Sequence, residues 1–363
     1  MTHHSSFRRY PTFRAGLRRL VLGLMAVALM VLGMAGVGAG AAAADTVIAT
    51  VPVGSRPIGV AVTPNGAFVY VVNNGGNSVD VIDTATNMVV TTVPVGFNPS
   101  GVAVTPDGAF AYVTNTFPSN NVSVIDTATN MVVTTVPVGN FPRAVAITPD
   151  GAFAYVTNGG GGNVSVIDTG TNMVIATVPV GFGPSGVAVT PDGAFAYVTN
   201  GPSSTVSVID TGTNMVVATV PVGAGPQGVA ITPDGAFVYV TNFGANSVDV
   251  IDTATNMVVT TFPVGNFPEA VAITPDGLRA YVVNSGAGTV DVIDTGSNTV
   301  IETVTVGTDP EDVAITPDGA FVYVTNNDDN TVSVIAVETC LGSLCIDFGS
   351  LTGSGSGAGS VVS

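Results

Sequence analysis

Seven near-copies of a segment about 42 residues long fill the chain from Asp45 to Val337. The tetrapeptide Thr-Pro-Asp-Gly (Thr-Pro-Asn-Gly in the first copy) begins at Thr63, Thr105, Thr148, Thr190, Thr232, Thr274 and Thr316, at steps of 42 residues except one of 43. The same spacing carries Tyr-Val-Thr-Asn or Tyr-Val-Val-Asn (Tyr70, Tyr112, Tyr155, Tyr197, Tyr239, Tyr281, Tyr323). It also carries Val-Pro-Val-Gly or a close variant, starting at Val51, Val93, Val136, Val178, Val220, Phe262 and Val304. One copy is too small to bury its own apolar faces, so the copies must stack on one another.

Each copy reads as four short strands. In 97–139, Gly101–Thr105 alternates larger and smaller residues and ends in the turn Pro106-Asp107-Gly108, where Pro presets φ and Gly takes the left-handed position. Ala109–Asn115, Val122–Asp126 and Met131–Val138 follow as strands two to four, with Pro137 suited to an outermost strand that has no ladder partner beyond it. Both faces of these strands are apolar or small, which requires each sheet to lie between two neighbours. The seventh copy supplies three strands and stops, while Thr46–Val53 is an orphan fourth strand that matches Thr299–Val306. Two complementary part-blades serve only a ring, where joining them removes the free edges. The expected fold class is all-β: a closed seven-bladed β-propeller with four antiparallel strands per blade, 28 in all, the N-terminal strand completing the last blade. The blades fall at about 55–96, 97–139, 140–181, 182–223, 224–265, 266–307, and 308–337 plus 45–54.

Residues 1–44 lie outside the repeat. Five Arg (Arg8, Arg9, Arg14, Arg18, Arg19) precede an apolar run from Leu20 to about Ala39 and then Ala41–Ala44. This is the layout of a secretory signal peptide cut near Ala44, with an uncleaved anchor as the alternative. Arg18-Arg19 also fits a twin-arginine signal, although ordinary Sec export is the preferred reading. The protein is therefore expected outside the cell or at the cell surface, or in the periplasm if there is an outer membrane. After leader removal no membrane span is expected. The rest of the chain keeps Arg56, Arg143 and Arg279 against all 25 acidic residues, a net charge of −22. Such a surface repels nucleic acid and anionic membrane. Both His residues (His3, His4) belong to the leader, and neither Lys nor Trp occurs anywhere. Residues 338–363 form a Cys-containing, Gly/Ser-rich tail expected to be flexible, in which Cys340 and Cys345 are candidates for a local disulfide.

The block from Val102 to Asn115, continued by Val122 to Gly139, resembles the YVTN-type β-propeller repeats of exported and surface-layer-like proteins. The resemblance spans roughly 290 residues and implies seven blades and an extracytoplasmic location. Related propellers include lactonases and redox-cofactor enzymes, so the resemblance leaves the function open.

Most repeated polar residues have a structural reading. The Asp of Thr-Pro-Asp-Gly and of Val-Ile-Asp-Thr are expected to bond backbone N–H groups in turns, since one site has no use for six equal copies. The Asn ending Tyr-Val-Thr-Asn reads the same way, and the Met opening most fourth strands reads as packing. Departures from the repeat are more informative. They gather in the inter-blade connections and the loops between strands two and three, which share one face of the ring. The residue after each inter-blade Pro runs Ile58, Ser100, Arg143, Ser185, Gln227, Glu269, Glu311, with Asp312 beside the last. These residues should ring the channel mouth together with loop phenylalanines such as Phe97, Phe141 and Phe267. The candidate ligand-binding set is Arg56, Arg143, Gln227, Glu269, Glu311, Asp312, Phe97, Phe141 and Phe267. Glu269, Glu311 and Asp312 should be dispensable for packing, because Ser, Gly, Ala or Gln serve as their counterparts elsewhere.

With no His or Lys after the leader, and with both Cys in the tail lacking a His partner, general-base, Schiff-base and thiol catalysis are disfavoured, and His-ligated haem or copper and Trp-stacked quinone are excluded. No catalytic residue and no metal or cofactor site is expected, a carboxylate-held Ca2+ being the alternative. The expectation is a monomeric, non-catalytic binding module for a cell-surface protein, peptide or glycan. The alternative is a lactonase-like or glycan-processing hydrolase using Glu269 and Glu311 with Arg143.

Overall fold

The computed structural model describes residues 44–341 and 344–346, with side chains described through Glu338. Apart from Ala44, the expected leader falls outside the described residues, as does the tail from 347 onward. Residues Thr339–Leu341 and Leu344–Ile346 pair as a two-stranded ribbon. The side chains of Cys340 and Cys345, and the disulfide expected between them, lie outside the described residues.

Residues 46–336 form seven four-stranded antiparallel sheets. Blade two consists of Pro99–Val104, Phe110–Asn115, Asn121–Asp126 and Met131–Pro137. The first strand starts two residues earlier than the pattern predicts, because Pro99 pairs with Asn115 across a bulge that precedes Val102. The innermost strands adjoin one another in order, and Pro57–Val62 meets Pro310–Ile315 to close the ring. Among the described residues no helix is long and apolar enough to cross a membrane.

The core lies between blades. Tyr112, Val122, Val124 and Val136 of blade two pack on Val145, Ala154, Val156 and Ile167 of blade three, and the other seams repeat this arrangement. β-Branched residues and Tyr fill the two central strands, which are buried on both faces. The outermost strands alternate, and there the reading of Met as packing is corrected. Met88, Met131, Met173, Met215 and Met257 are 64–65% exposed. They stand at the rim, where neighbouring blades splay apart and nothing covers the outward face.

Closure follows the expectation. Thr46–Pro52 pairs antiparallel with Thr331–Ala336, Thr46 opposite Ala336 and Pro52 opposite Thr331. The bulge between Val47 and Ala49 reproduces the one within the fourth strands of other blades, such as that opposite Val124 and Ile125. Val51 is as buried as its counterpart Val93.

The repeated polar groups serve the turns. Asp107 accepts from Thr105 Oγ1 (2.6 Å) and Ala109 N (2.9 Å), and these bonds hold its carboxyl below the usual range. Gly108 sits at φ 74°, where a side chain would be strained. Asp126 accepts from the N–H groups of Ala128 and Thr129. The last residue of that turn, Asn130, adopts φ 52° and accepts a 2.8 Å bond from the Tyr70 hydroxyl of the preceding blade. Asn tolerates the left-handed region, so one residue type serves both the turn and the seam. The bonded tyrosines are almost wholly buried, and burial lifts Tyr112 to about 12, with the Asp168 charge adding to it.

Candidate functional site

The channel mouth is built by the connections that carry the chain from one blade to the next. In each, the Gly of Val-Pro-Val-Gly packs against the Asn ending the second strand. A Cβ on Gly139 would lie 2.6 Å from Asn158 Cγ, so no larger residue fits. Two residues on, just before the buried Pro, the backbone enters the left-handed region in all seven blades: Arg56 (54°), Asn98 (47°), Phe141 (54°), Gly183 (65°), Gly225 (64°), Phe267 (55°) and Asp309 (53°). Glycine does this freely in blades four and five. Arg, Phe and Asp do so under strain, and strained residues of this kind concentrate at binding and switch sites. Asx caps hold several in place: Arg56 N donates to Asn330 Oδ1 (2.8 Å), Phe141 N to Asn120 Oδ1 (3.0 Å) and Phe267 N to Asn246 Oδ1 (2.9 Å). This row of strained residues was not read from the sequence, although Gly183 and Gly225 at one repeat position were the signal that could have revealed it.

The residue after each Pro faces the channel. Its carbonyl is tied down by the Thr of Tyr-Val-Thr-Asn on the preceding blade: Thr114 donates to Arg143 O (2.6 Å), Thr157 to Ser185 O (2.7 Å), Thr199 to Gln227 O (2.6 Å), Thr241 to Glu269 O (2.9 Å) and Thr325 to Ile58 O (2.7 Å). Blades one and six carry Val72 and Val283 at this place, so Ser100 and Glu311 are held without that bond. The next residue is Gly in four blades, because the following blade's backbone runs against it. A Cβ on Gly101 would approach Arg143 O to 2.6 Å.

A cavity of about 690 Å3 opens here, lined by Phe141, Arg143, Gln227, Glu269, Glu311 and Asp312 along with Ile58, Ser100 and Ser185. Six of the nine residues singled out from the sequence thus meet in one space. The other three do not line it. Phe97 is exposed, Phe267 stacks on Phe243 with centroids 4.8 Å apart, and Arg56 lies at the seam with blade seven, its Nε 3.5 Å from Asn327 Oδ1. Phe141 stacks on Phe117 at 5.8 Å and stays half exposed.

The two sides of the mouth differ in charge. Over blades three to five, Arg143 Nη1 donates to Ser185 Oγ (3.5 Å), and Ser185 Oγ donates to Gln227 Oε1 (2.6 Å). Over blades six and seven the carboxyls of Glu269 and Glu311 are partly buried. Burial pushes Glu269 up to about 7, with the Asp309 charge adding and Arg143 opposing. Burial pushes Glu311 up to about 8, helped by Glu269, Asp309 and Asp312, with Arg56 opposing. Both carboxyls therefore resist ionisation near neutrality and titrate as a pair.

Asp312 requires a correction. It replaces the small residue found there in the other blades, yet it is not a spare surface charge. Its Oδ2 accepts from Val60 N of blade one (3.0 Å) and its Oδ1 from Val313 N (2.8 Å), so the carboxylate staples the last seam. Burial lifts it to about 6, while the two N–H bonds oppose that rise. Its dispensability for packing does not hold, because the bond from Val60 N crosses the seam between residues 252 apart in sequence.

Three further carboxylates went unread. Asp80, Asp249 and Asp291 replace the Ser of Val-Ser-Val-Ile-Asp and are almost fully buried. Asp249 accepts from Gly223 N (2.8 Å) and Thr261 Oγ1 (2.6 Å), and the other two repeat this pattern, so they brace the connections from below. Among the described residues no group of three or more His, Cys, Asp or Glu side chains is placed to hold a metal ion.

Among solved structures, the chain is similar to a chain of Kuenenia stuttgartiensis hydrazine synthase, at 27% identity and a TM-score of 0.73, covering 78% of this chain and 96% of that one. No curated protein matches it. Three overlapping stretches, 44–174, 168–300 and 253–347, match the family described as lactonase, 7-bladed beta-propeller. These matches cover the whole ring, and the chain belongs to the seven-bladed β-propeller lactonase family.

Proposed function

We propose that this protein is an exported, non-catalytic binding module of the YVTN-repeat kind. Its ligand carries an amine or guanidinium into the channel mouth, as a basic peptide segment or an amino-sugar glycan would. One observation carries the reading. At a single repeat position, five blades bring Ile, Ser, Arg, Ser and Gln, while blades six and seven bring Glu269 and Glu311 into the same cavity. Two carboxyls kept partly protonated by burial and mutual repulsion gain from a cation between them, since it relieves both penalties at once. Arg143, Ser185 and Gln227 across the cavity offer hydrogen bonds to the polar remainder of the ligand. The net charge of −22 after the leader draws cations toward the mouth.

Titration calorimetry with spermidine and a lysine-rich peptide, whose amines stay protonated across the range, tests this reading at low salt. Binding should tighten as pH rises from 6 to 8.5, because the receptive form is ionised. It should weaken at least tenfold in E269Q/E311Q. Equal affinity in the double variant would refute the assignment.

A second reading is favoured by family membership and by the same carboxyl pair: a lactone hydrolase. Glu269 as carboxylate would accept a proton from a water molecule attacking the lactone carbonyl, and protonated Glu311 would return a proton to the ring oxygen as it leaves. Turnover of sugar or aliphatic lactones that disappears in both E269Q and E311Q would establish this reading over the first.

A further inference from the structure

Six of the seven seams share one bond. The buried Tyr hydroxyl of one blade donates to the turn Asn of the next: Tyr70 to Asn130, Tyr112 to Asn172, Tyr155 to Asn214, Tyr197 to Asn256, Tyr239 to Asn298 and Tyr323 to Asn87. Blade six faces a seventh blade that has no such turn, because its third strand ends at Ala336 and its outer strand comes from the other end of the repeat region. Asp45 fills the gap. Its Oδ2 accepts from the Tyr281 hydroxyl (2.6 Å), and its Oδ1 accepts from Glu338 N (2.8 Å) and pairs with Arg279 Nη1 (3.2 Å). A single carboxylate therefore joins blade six, the end of the third strand of blade seven and the start of its fourth.

Two departures in blade six converge on the same residue. Arg279 stands where the other copies have Phe (Phe68, Phe110, Phe153, Phe195, Phe237, Phe321). Glu302 stands where the other fourth strands have Thr or Ala (Thr91, Thr134, Ala176, Ala218, Thr260), and its Oε2 accepts from Asp45 N at 3.1 Å. Arg279 answers the Asp45 carboxylate. Glu302 accepts a hydrogen bond from a backbone N–H, and burial, with the Asp45 charge adding to it, pushes it upward against that bond and the more distant Arg279 charge. Asp45, Glu302 and Arg279 together leave one negative charge in excess. A positive charge on the Asp45 nitrogen would balance it.

We propose that Asp45 is the keystone of the ring and that the Ala44–Asp45 bond is its processing site. A leader peptidase adds water across this peptide bond, leaving a carboxylate on Ala44 and an ammonium on Asp45, and the ammonium pairs with Glu302. The proposal rests on reading residues 1–44 as a removable leader. Ala44 is exposed, so the keystone tolerates a longer chain sterically, and the gain on processing is electrostatic. Removal of the leader then adds an ion pair to a closure already held by strand pairing, apolar seams and the Asp45 carboxylate.

The test compares unfolding rates of three proteins in urea: a chain beginning at Asp45, the same chain N-acetylated, and one retaining Gly40–Ala44. The free-amine form should unfold about fivefold more slowly than the other two, an effect in the range of a partly buried ion pair. In E302Q all three should unfold alike. Equal rates for the free and acetylated forms, or a difference that survives in E302Q, would overturn the ammonium pairing. D45N and R279F, measured in the acetylated background, should each accelerate unfolding, and no change in either would overturn the keystone role of the side chain. N-terminal sequencing of the exported protein tests the leader reading separately: a start other than Asp45 refutes the processing site even where the pairing holds in vitro.

Discussion

Replacing Glu269 and Glu311 together by Gln should make the protein more stable at alkaline pH and flatten its pH dependence. Both carboxyls bind protons more tightly in the folded chain than in the unfolded one, at about 7 and about 8 against an ordinary 4.5. For acids raised by folding, the native state holds the extra protons, so stability falls as pH climbs through this window and levels off above about 8. Treated as independent groups, the two lose about 4 kcal/mol between pH 6 and 8.5. The mouth is open to water and the groups titrate jointly, so about 2 kcal/mol is the expected effect. Asp309, whose charge acts on both glutamates, and Asp312, which lines the cavity, are raised as well, but Asp312, at about 6, adds its dependence mostly below this window. The positive charges of Arg143 and Arg56 oppose the rise of Glu269 and Glu311 respectively. The assay is urea unfolding at pH 6 and pH 8.5, with wild type losing about 2 kcal/mol and E269Q/E311Q losing under about 0.5 kcal/mol. A wild-type protein equally stable at both pH values, or a double variant with the same slope, would refute the electrostatic account of the mouth.

Deleting residues 45–54 should leave the outer edge of blade seven open and lower stability by roughly 3 kcal/mol or more, with loss of the cooperative transition in circular dichroism. D309G should stabilise by up to about 1 kcal/mol in thermal unfolding, because blades four and five already use glycine at that left-handed position. D312G should destabilise by about 1–3 kcal/mol by stripping the acceptor from Val60 N, and slower amide exchange at Val60 in the variant would contradict this. Y112F removes one seam bond to Asn172 and should cost about 1 kcal/mol in urea unfolding with no change in the fold.

The fold was legible because its signals are local and repeated. Turn chemistry such as Thr105-Pro106-Asp107-Gly108 acts over a few residues, and the complementary part-blades at 46–53 and 312–337 left a ring as the one arrangement without open edges. The variable face and its ring of residues from Ile58 to Glu311 could be placed from the period alone. What a side chain meets there could not, because each blade contributes one residue to the mouth and neighbours in space lie 42 or 43 apart in sequence. The proximity of Glu269 to Glu311, the absence of Arg56, Phe97 and Phe267 from the cavity, and the capture of Asp312 by Val60 all depend on how far each innermost strand is rotated and how the next blade's backbone fills the gap. The exposed methionines depend on the outward splay of the blades, which a pattern of apolar residues does not encode. Asp45 shows the division most sharply. The strand that follows it could be read as the missing one, but its carboxylate meets Arg279 across 234 residues, and only closing the ring brings the two together. Sequence fixes what repeats along the chain, whereas contacts between blades follow from the geometry of closure.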